Sequence, residues 1–102
     1  MREISPLELK TLMEEKVDFQ LVDVREPEEH ANFSIGGILI PMNHIPAEYF
    51  QIDKSKPVVV YCRSGARSAN VISYLEQMHG YTNLMNLRGG VLAWLSEVNP
   101  AF

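Results

Sequence analysis

The chain predicts an α/β fold: a mostly parallel sheet with helices on both faces. Three observations carry this expectation. Short apolar, strand-forming runs alternate with segments of helical spacing along the chain. The run Pro57-Val58-Val59-Val60-Tyr61 is continuously apolar and β-branched, with no in-out alternation, as suits a central strand covered on both faces. Alternating strands and helices also imply right-handed crossovers, which bring successive strands into one parallel sheet.

The elements follow in order. Ser5-Pro6-Leu7-Glu8 offers a capping serine, a proline at the first helical position and a glutamate three residues after the cap; Leu9, Leu12 and Met13 then recur at helical spacing, predicting a helix from Pro6 to about Lys16. Phe19 to Val24 reads as a strand ending in the charged cluster Asp23-Val24-Arg25-Glu26-Pro27, with a short helix near Pro27–Ala31. Gly36-Gly37 breaks the chain before the strand Ile38-Leu39-Ile40, which Pro41 ends, and Asn43 to Phe50 reads as a brief helix interrupted by Pro46. After the central strand and the loop Arg63–Arg67, Val71, Ile72, Leu75 and Met78 mark one face of a helix that stops at His79-Gly80. Asn83 to Leu87 is a further strand, Gly89-Gly90 a tight turn, and Val91, Trp94, Leu95 and Val98 are the core face of a final helix.

Composition narrows the function. With 102 residues, 46% apolar and 22% charged, the chain is expected to form a single domain over residues 1–102, with room for a shallow surface pocket rather than a large cavity. A net charge of −4 and scattered cations disfavour nucleic acid as a partner. No segment has the length of a signal peptide core or a membrane span, so a soluble chain without a membrane partner is expected. One cysteine precludes an internal disulfide, and a reducing, cytoplasmic setting suits it best. His30, His44 and His79 lack ligand spacing to one another or to Cys62, and no metal is expected. Glu26, Glu28 and Glu29 sit where they complement a helix dipole, which leaves little support for a catalytic carboxylate pair.

Ligands of open α/β sheets bind beyond the carboxyl ends of the strands. Polar groups stand at three such ends: Asp23 with Arg25, Cys62 with Arg63, and Arg88. The segment Cys62-Arg63-Ser64-Gly65-Ala66-Arg67-Ser68 joins a buried strand to a helix, so its successive N–H groups can curl round one point. A thiol there is itself the anion when ionised, stabilised by those groups, by the helix dipole and by nearby Arg63 and Arg67. An unperturbed thiol is only about 3% ionised at pH 7, and a fall of about two units would ionise most of it. Gly65 is expected to take a positive φ that closes the loop, with Ser64 and Ser68 adding donors or capping the helix. Asp23 and Arg25 suit two roles equally, pairing with each other around the short helix or lining the site.

Cys62–Ser68 resembles the active-site loop of rhodanese domains, in the Cys-Arg-Ser-Gly-x-Arg-Ser form of small bacterial members. Asp23-Val24-Arg25-Glu26, Leu87-Arg88-Gly89-Gly90 and Ala93-Trp94 extend the resemblance over nearly the whole chain. Asn32-Phe33-Ser34-Ile35-Gly36-Gly37 departs from it, since Gly-His-Ile-Pro-Gly-Ala is usual there and Phe33 replaces the histidine. The resemblance implies a rhodanese-like, five-stranded parallel sheet and a sulfurtransferase in which Cys62 takes sulfane sulfur from a donor such as thiosulfate and passes it to cyanide or a thiol. It also implies that Arg67 braces the loop, that the loop amides bind the persulfide and that Asp23 and Arg25 lie beside the site; it calls for no cofactor. A relay that accepts sulfur from one protein and gives it to another fits the same residues, and a monomer is expected. Two other readings stand against this one. A cysteine phosphatase or arsenate reductase also starts an anion loop at cysteine, but usually with five residues before the arginine, where Arg63-Ser64-Gly65-Ala66 is four. A non-catalytic rhodanese-like binding module commonly lacks the cysteine that is present here.

Overall fold

The structure is a computed structural model that describes residues 1–98. Five parallel strands form one sheet in the order β1-β5-β4-β2-β3. They are β1 (Glu3–Ile4), β2 (Gln20–Asp23), β3 (Ile38–Leu39), β4 (Val58–Tyr61) and β5 (Leu84–Leu87). The helices are α1 (Pro6–Glu14), α2 (Pro27–Asn32), α3 (Ile45–Glu48), α4 (Ala66–His79) and α5 (Gly90–Glu97). None of the helices among the described residues is long and apolar enough to cross a membrane.

The central strand explains the two layers. Val58 and Val60 of β4 point into a core with Val22, Ile45, Val71, Ile72 and Leu75, whereas Val59 and Tyr61 point into a second core with Ile4, Leu9, Leu87, Val91 and Trp94. All four β4 residues are fully buried, and each such side chain contributes about 1.5–3 kcal/mol of hydrophobic stabilisation. A strand with water on neither side needs no polar alternation, which is what its sequence displays.

The capping box at α1 forms as its sequence predicts: Glu8 N–H donates to Ser5 Oγ at 3.1 Å and Ser5 N–H donates to Glu8 Oε1 at 2.8 Å. Four expectations need correction. Helix α1 stops at Glu14, before Lys16, which takes a left-handed φ of 54°. An edge strand precedes that helix where none is expected, Glu3 and Ile4 pairing with Asn86 and Leu87. Pro46 does not interrupt the middle helix; it lies in the first turn of α3, where no intrahelical N–H is required, between 3₁₀ turns at Met42–His44 and Tyr49–Gln51. Leu95 is not core: it is 39% exposed on the side of α5 facing a surface pocket, and Met78, on the face of α4 marked by Val71, Ile72 and Leu75, is 66% exposed in the last turn.

Candidate active site

Strand β4 ends at Tyr61 and delivers Cys62 to the carboxyl edge of the sheet, directly before α4. The chain turns through Gly65, whose φ of 104° closes the loop and which serves as the N-cap of α4. This turn aims successive amides at the sulfur. Gly65 N–H donates to Cys62 Sγ at 3.1 Å and Ser68 N–H at 3.4 Å, with Ser68 Oγ also 3.4 Å away. Cys62 is 1% exposed. Burial pushes its thiol up, but hydrogen bonds from the Ser68 hydroxyl and from the N–H groups of Ser68, Gly65 and Ser64 outweigh burial and hold it below the usual thiol range.

The loop carbonyls face the other way and are held there by α5. Val91 N–H donates to the Cys62 carbonyl and Leu92 N–H to the Arg63 carbonyl, each at 3.0 Å. These are first-turn amides with no partner in their own helix, so the contact satisfies both elements. Gly90 makes the approach possible: a Cβ there would stand 2.5 Å from both carbonyl oxygens. With its carbonyls pinned outward, the loop keeps its N–H groups turned toward sulfur. The Gly89-Gly90 turn therefore also lets the start of α5 approach the backbone of the Cys62 loop.

Arg67 and Arg63 differ. Arg67 forms a two-pronged pair with Glu29 of α2, at 2.7 and 2.9 Å, tying the start of α4 to α2. That pair holds the Glu29 carboxyl down at about 2, with the Arg67 hydrogen bonds as the main cause. Arg67 is thus a brace whose charge is already matched. Arg63 is exposed, makes no ion pair among the described residues and lines a shallow surface pocket of about 190 Å³ beside the loop, with Arg25, Glu29, Phe33, Val91, Leu92 and Leu95.

Asp23 and Arg25 form a buried pair. Arg25 Nη2 donates to Asp23 Oδ2 at 2.8 Å, its Nε reaches Oδ1 at 3.0 Å, and the Arg25 N–H adds a further 3.0 Å bond. His30 Nδ1 lies 2.8 Å from Asp23 Oδ2 and donates, since a carboxylate only accepts. Burial pushes the Asp23 carboxyl up, and these bonds bring it below its ordinary value. Arg25 also donates to the Phe33 carbonyl at 2.6 Å, so the residue that replaces the usual histidine contributes its backbone and a pocket wall. Arg88 is not gathered to the loop: it is exposed, absent from the lining of this pocket, and its charge is felt at Glu8 of α1. The described residues contain no cluster of three or more His, Cys, Asp or Glu side chains that could hold a metal ion.

Two contributors escaped the sequence reading. Asn86 of β5 is 4% exposed; its Oδ1 lies 2.6 Å from Ser68 Oγ and its Nδ2 donates to the Gly65 carbonyl at 3.1 Å. An asparagine within the buried run Leu84–Leu87 was itself a signal, because a buried amide requires partners. Glu29, assigned only to the helix dipole, is the partner of Arg67.

Comparisons with known proteins agree with this fold. The model of the rhodanese-like domain matches residues 5–97. A protein named sulfurtransferase from Allochromatium vinosum is 43% identical over 98% of this chain and 94% of its own length, and the putative sulfurtransferase YtwF of Bacillus subtilis is 41% identical over 98% and 96%. Among solved structures, a rhodanese-like domain protein from Staphylococcus aureus is 37% identical, with a TM-score of 0.83 over 92% of this chain and 91% of that one. A rhodanese-related protein from Thermoplasma volcanium superposes with a TM-score of 0.84 at 28% identity, covering 96% and 94%. With its parallel five-stranded sheet and its cysteine loop at the carboxyl edge, the chain belongs to the rhodanese-like domain family.

Proposed function

We propose that this chain is a sulfurtransferase that carries sulfane sulfur as a persulfide on Cys62. The observation that carries the reading is the convergence of loop N–H groups on Cys62 Sγ, in a ring with only four residues between Cys62 and Arg67. The Cys62 thiolate attacks the outer sulfur of a donor such as thiosulfate. The S–S bond of the donor breaks, sulfite leaves with the bonding pair, and the outer sulfur remains on Cys62 as a persulfide anion. Cyanide or a thiolate then attacks that outer sulfur and restores the Cys62 thiolate. No proton need be carried by a side chain in either step, in keeping with a loop whose donors are amides and hydroxyls. Arg63, Ser64, Gly65, Ala66, Arg67 and Ser68 form the binding loop in this reading, Asp23 and Arg25 buttress it, and Arg88 lies outside it. A four-residue ring suits one sulfur atom better than a tetrahedral phosphate, which disfavours a phosphatase.

A relay between proteins is the second form of the same chemistry. It is favoured by 30% identity, over 95% of this chain, to a quarter of the probable adenylyltransferase/sulfurtransferase MoeZ of Mycobacterium tuberculosis. We further propose that the chain works as one monomeric domain in the cytoplasm, where a lone thiol stays reduced. The test is the intact mass of reduced protein before and after thiosulfate, and again after cyanide. A gain of one sulfur atom that cyanide removes, absent in Cys62→Ser, is expected. No gain from thiosulfate or a persulfide donor, in protein whose thiol still alkylates, would overturn the reading.

A further inference from the structure

Beneath Cys62, three acceptors claim one proton. Ser68 Oγ lies 2.6 Å from Asn86 Oδ1, 3.2 Å from the Gly65 carbonyl and 3.4 Å from Cys62 Sγ, and a serine hydroxyl has a single proton to donate. The Asn86 amide is oriented by Gly65: with Nδ2 on the Gly65 carbonyl at 3.1 Å, Oδ1 must face Ser68, since a flipped amide would set two oxygens against each other. Ser68 is fully buried and Asn86 nearly so, so these groups settle their hydrogen bonds among themselves.

We propose that Asn86 is a positioning residue for the Cys62 sulfur, its side-chain carbonyl competing with that sulfur for the Ser68 proton. In the neutral thiol, Ser68 donates to Asn86, its closest acceptor, and its own lone pair receives the S–H. On ionisation the thiol proton leaves for solvent and the sulfur becomes an acceptor only. The Ser68 hydroxyl then turns to the anion, drawn by a charge-assisted bond about twice as strong as a neutral one, and Asn86 Oδ1 loses its donor. No covalent bond other than S–H changes. Asn86 thereby limits how far the loop lowers the thiol, and a thiolate that is not over-stabilised is the better nucleophile. Within the sulfur-carrier reading, the same hydroxyl is available to a persulfide anion.

The charged and titratable groups around the sulfur stay the same when residue 86 changes. They are Arg63 in the loop, Arg67 of α4 with its partner Glu29 of α2, and the Asp23–Arg25 pair with His30 at the end of β2. Strand β5 carries no titratable side chain from Leu84 to Leu87, and α5 meets the loop through Val91 and Leu92.

The test is a double-mutant cycle read by the pH midpoint of Cys62 alkylation with iodoacetamide, in wild type, Asn86→Leu, Ser68→Ala and the double variant. With Ser68 present, Asn86→Leu is expected to lower the midpoint by about half a pH unit, roughly threefold in the thiol equilibrium; with Ala at position 68 it is expected to leave the midpoint in place. Loosening of the Gly65 contact acts in both backgrounds and cancels in the cycle. An unchanged or raised midpoint in Asn86→Leu, or equal shifts in both backgrounds, would overturn the proposal. A measurement on the wild type needs no Asn86 variant: the side-chain carbonyl carbon resonance of Asn86 should step at the Cys62 midpoint, and a flat profile would also overturn it. Alkylation requires no sulfur transfer, so failure to form a persulfide would leave this result standing and count only against the proposed function.

Discussion

Adjacent strands β2 and β4 each lead to a buried acidic group at their carboxyl ends, and their loops hold the two anions by different means. Asp23 at the end of β2 meets the countercharge of a guanidinium through two nitrogens, and an imidazole N–H adds a hydrogen bond. Cys62, one residue past the neighbour of Asp23 on β4, meets amide N–H groups and a hydroxyl, while the nearby Arg67 spends its charge on Glu29. Both groups are held below their ordinary pKa against burial. A carboxylate matched by a cation is neutralised and fixed, which suits a buttress. A sulfur anion stabilised by dipoles keeps its full charge and its lone pairs, which suits a nucleophile.

Substitutions separate the two ends. Cys62→Ser should abolish transfer, by at least about a thousandfold, since a serine hydroxyl in the same cradle is far less acidic; urea unfolding should change little. Asp23→Ala should do the opposite. It leaves Arg25 buried beside no carboxylate, and removing one partner of a buried pair costs about 3–5 kcal/mol, to be read from the urea midpoint. Measured well below that midpoint, the remaining folded protein should still take up sulfur.

Two smaller changes test the frame around the sulfur. Gly65→Ala has room for its methyl, whose nearest neighbour is Gly89 N at 3.6 Å, so its cost is the positive φ alone, about 1–2 kcal/mol. It should raise the alkylation midpoint of Cys62 as the loop relaxes. Glu29→Gln should destabilise by about 1 kcal/mol near neutral pH, a modest value because both partners are partly in water. The folded Glu29 pKa of about 2 lies below the ordinary 4.5, so its stabilisation is complete above about 4.5 and fades as pH falls toward 2. Wild type and Glu29→Gln should therefore converge in stability in acid.

The sulfur loop was legible in the sequence because its parts are contiguous: a buried strand, the cysteine, a glycine able to take positive φ and a helix follow one another from Val58 to His79. What lies across the chain was not. Glu29 is 38 residues from Arg67, and Asn86 is 18 from Ser68; no local spacing links them. Strand β1 has only two residues, too few to show any period, and is fixed by its pairing with β5. Leu95 fits a helical stripe equally well whether it faces the core or, as here, the rim of the pocket. Asp23 and Arg25 were both visible, but not His30 of α2 and the carbonyl of Phe33 just after it, which complete the hydrogen bonding of the pair.

The most direct measurement is the pH dependence of Cys62 alkylation in the native protein, at low and high salt and again in urea. The expected native midpoint lies below the free-thiol value of about 8.5, shifts little with salt because amides rather than mobile cations hold the sulfur, and returns to the ordinary value on unfolding. A native midpoint at or above that of the unfolded chain, or one that salt alone restores to it, would contradict the dipole cradle.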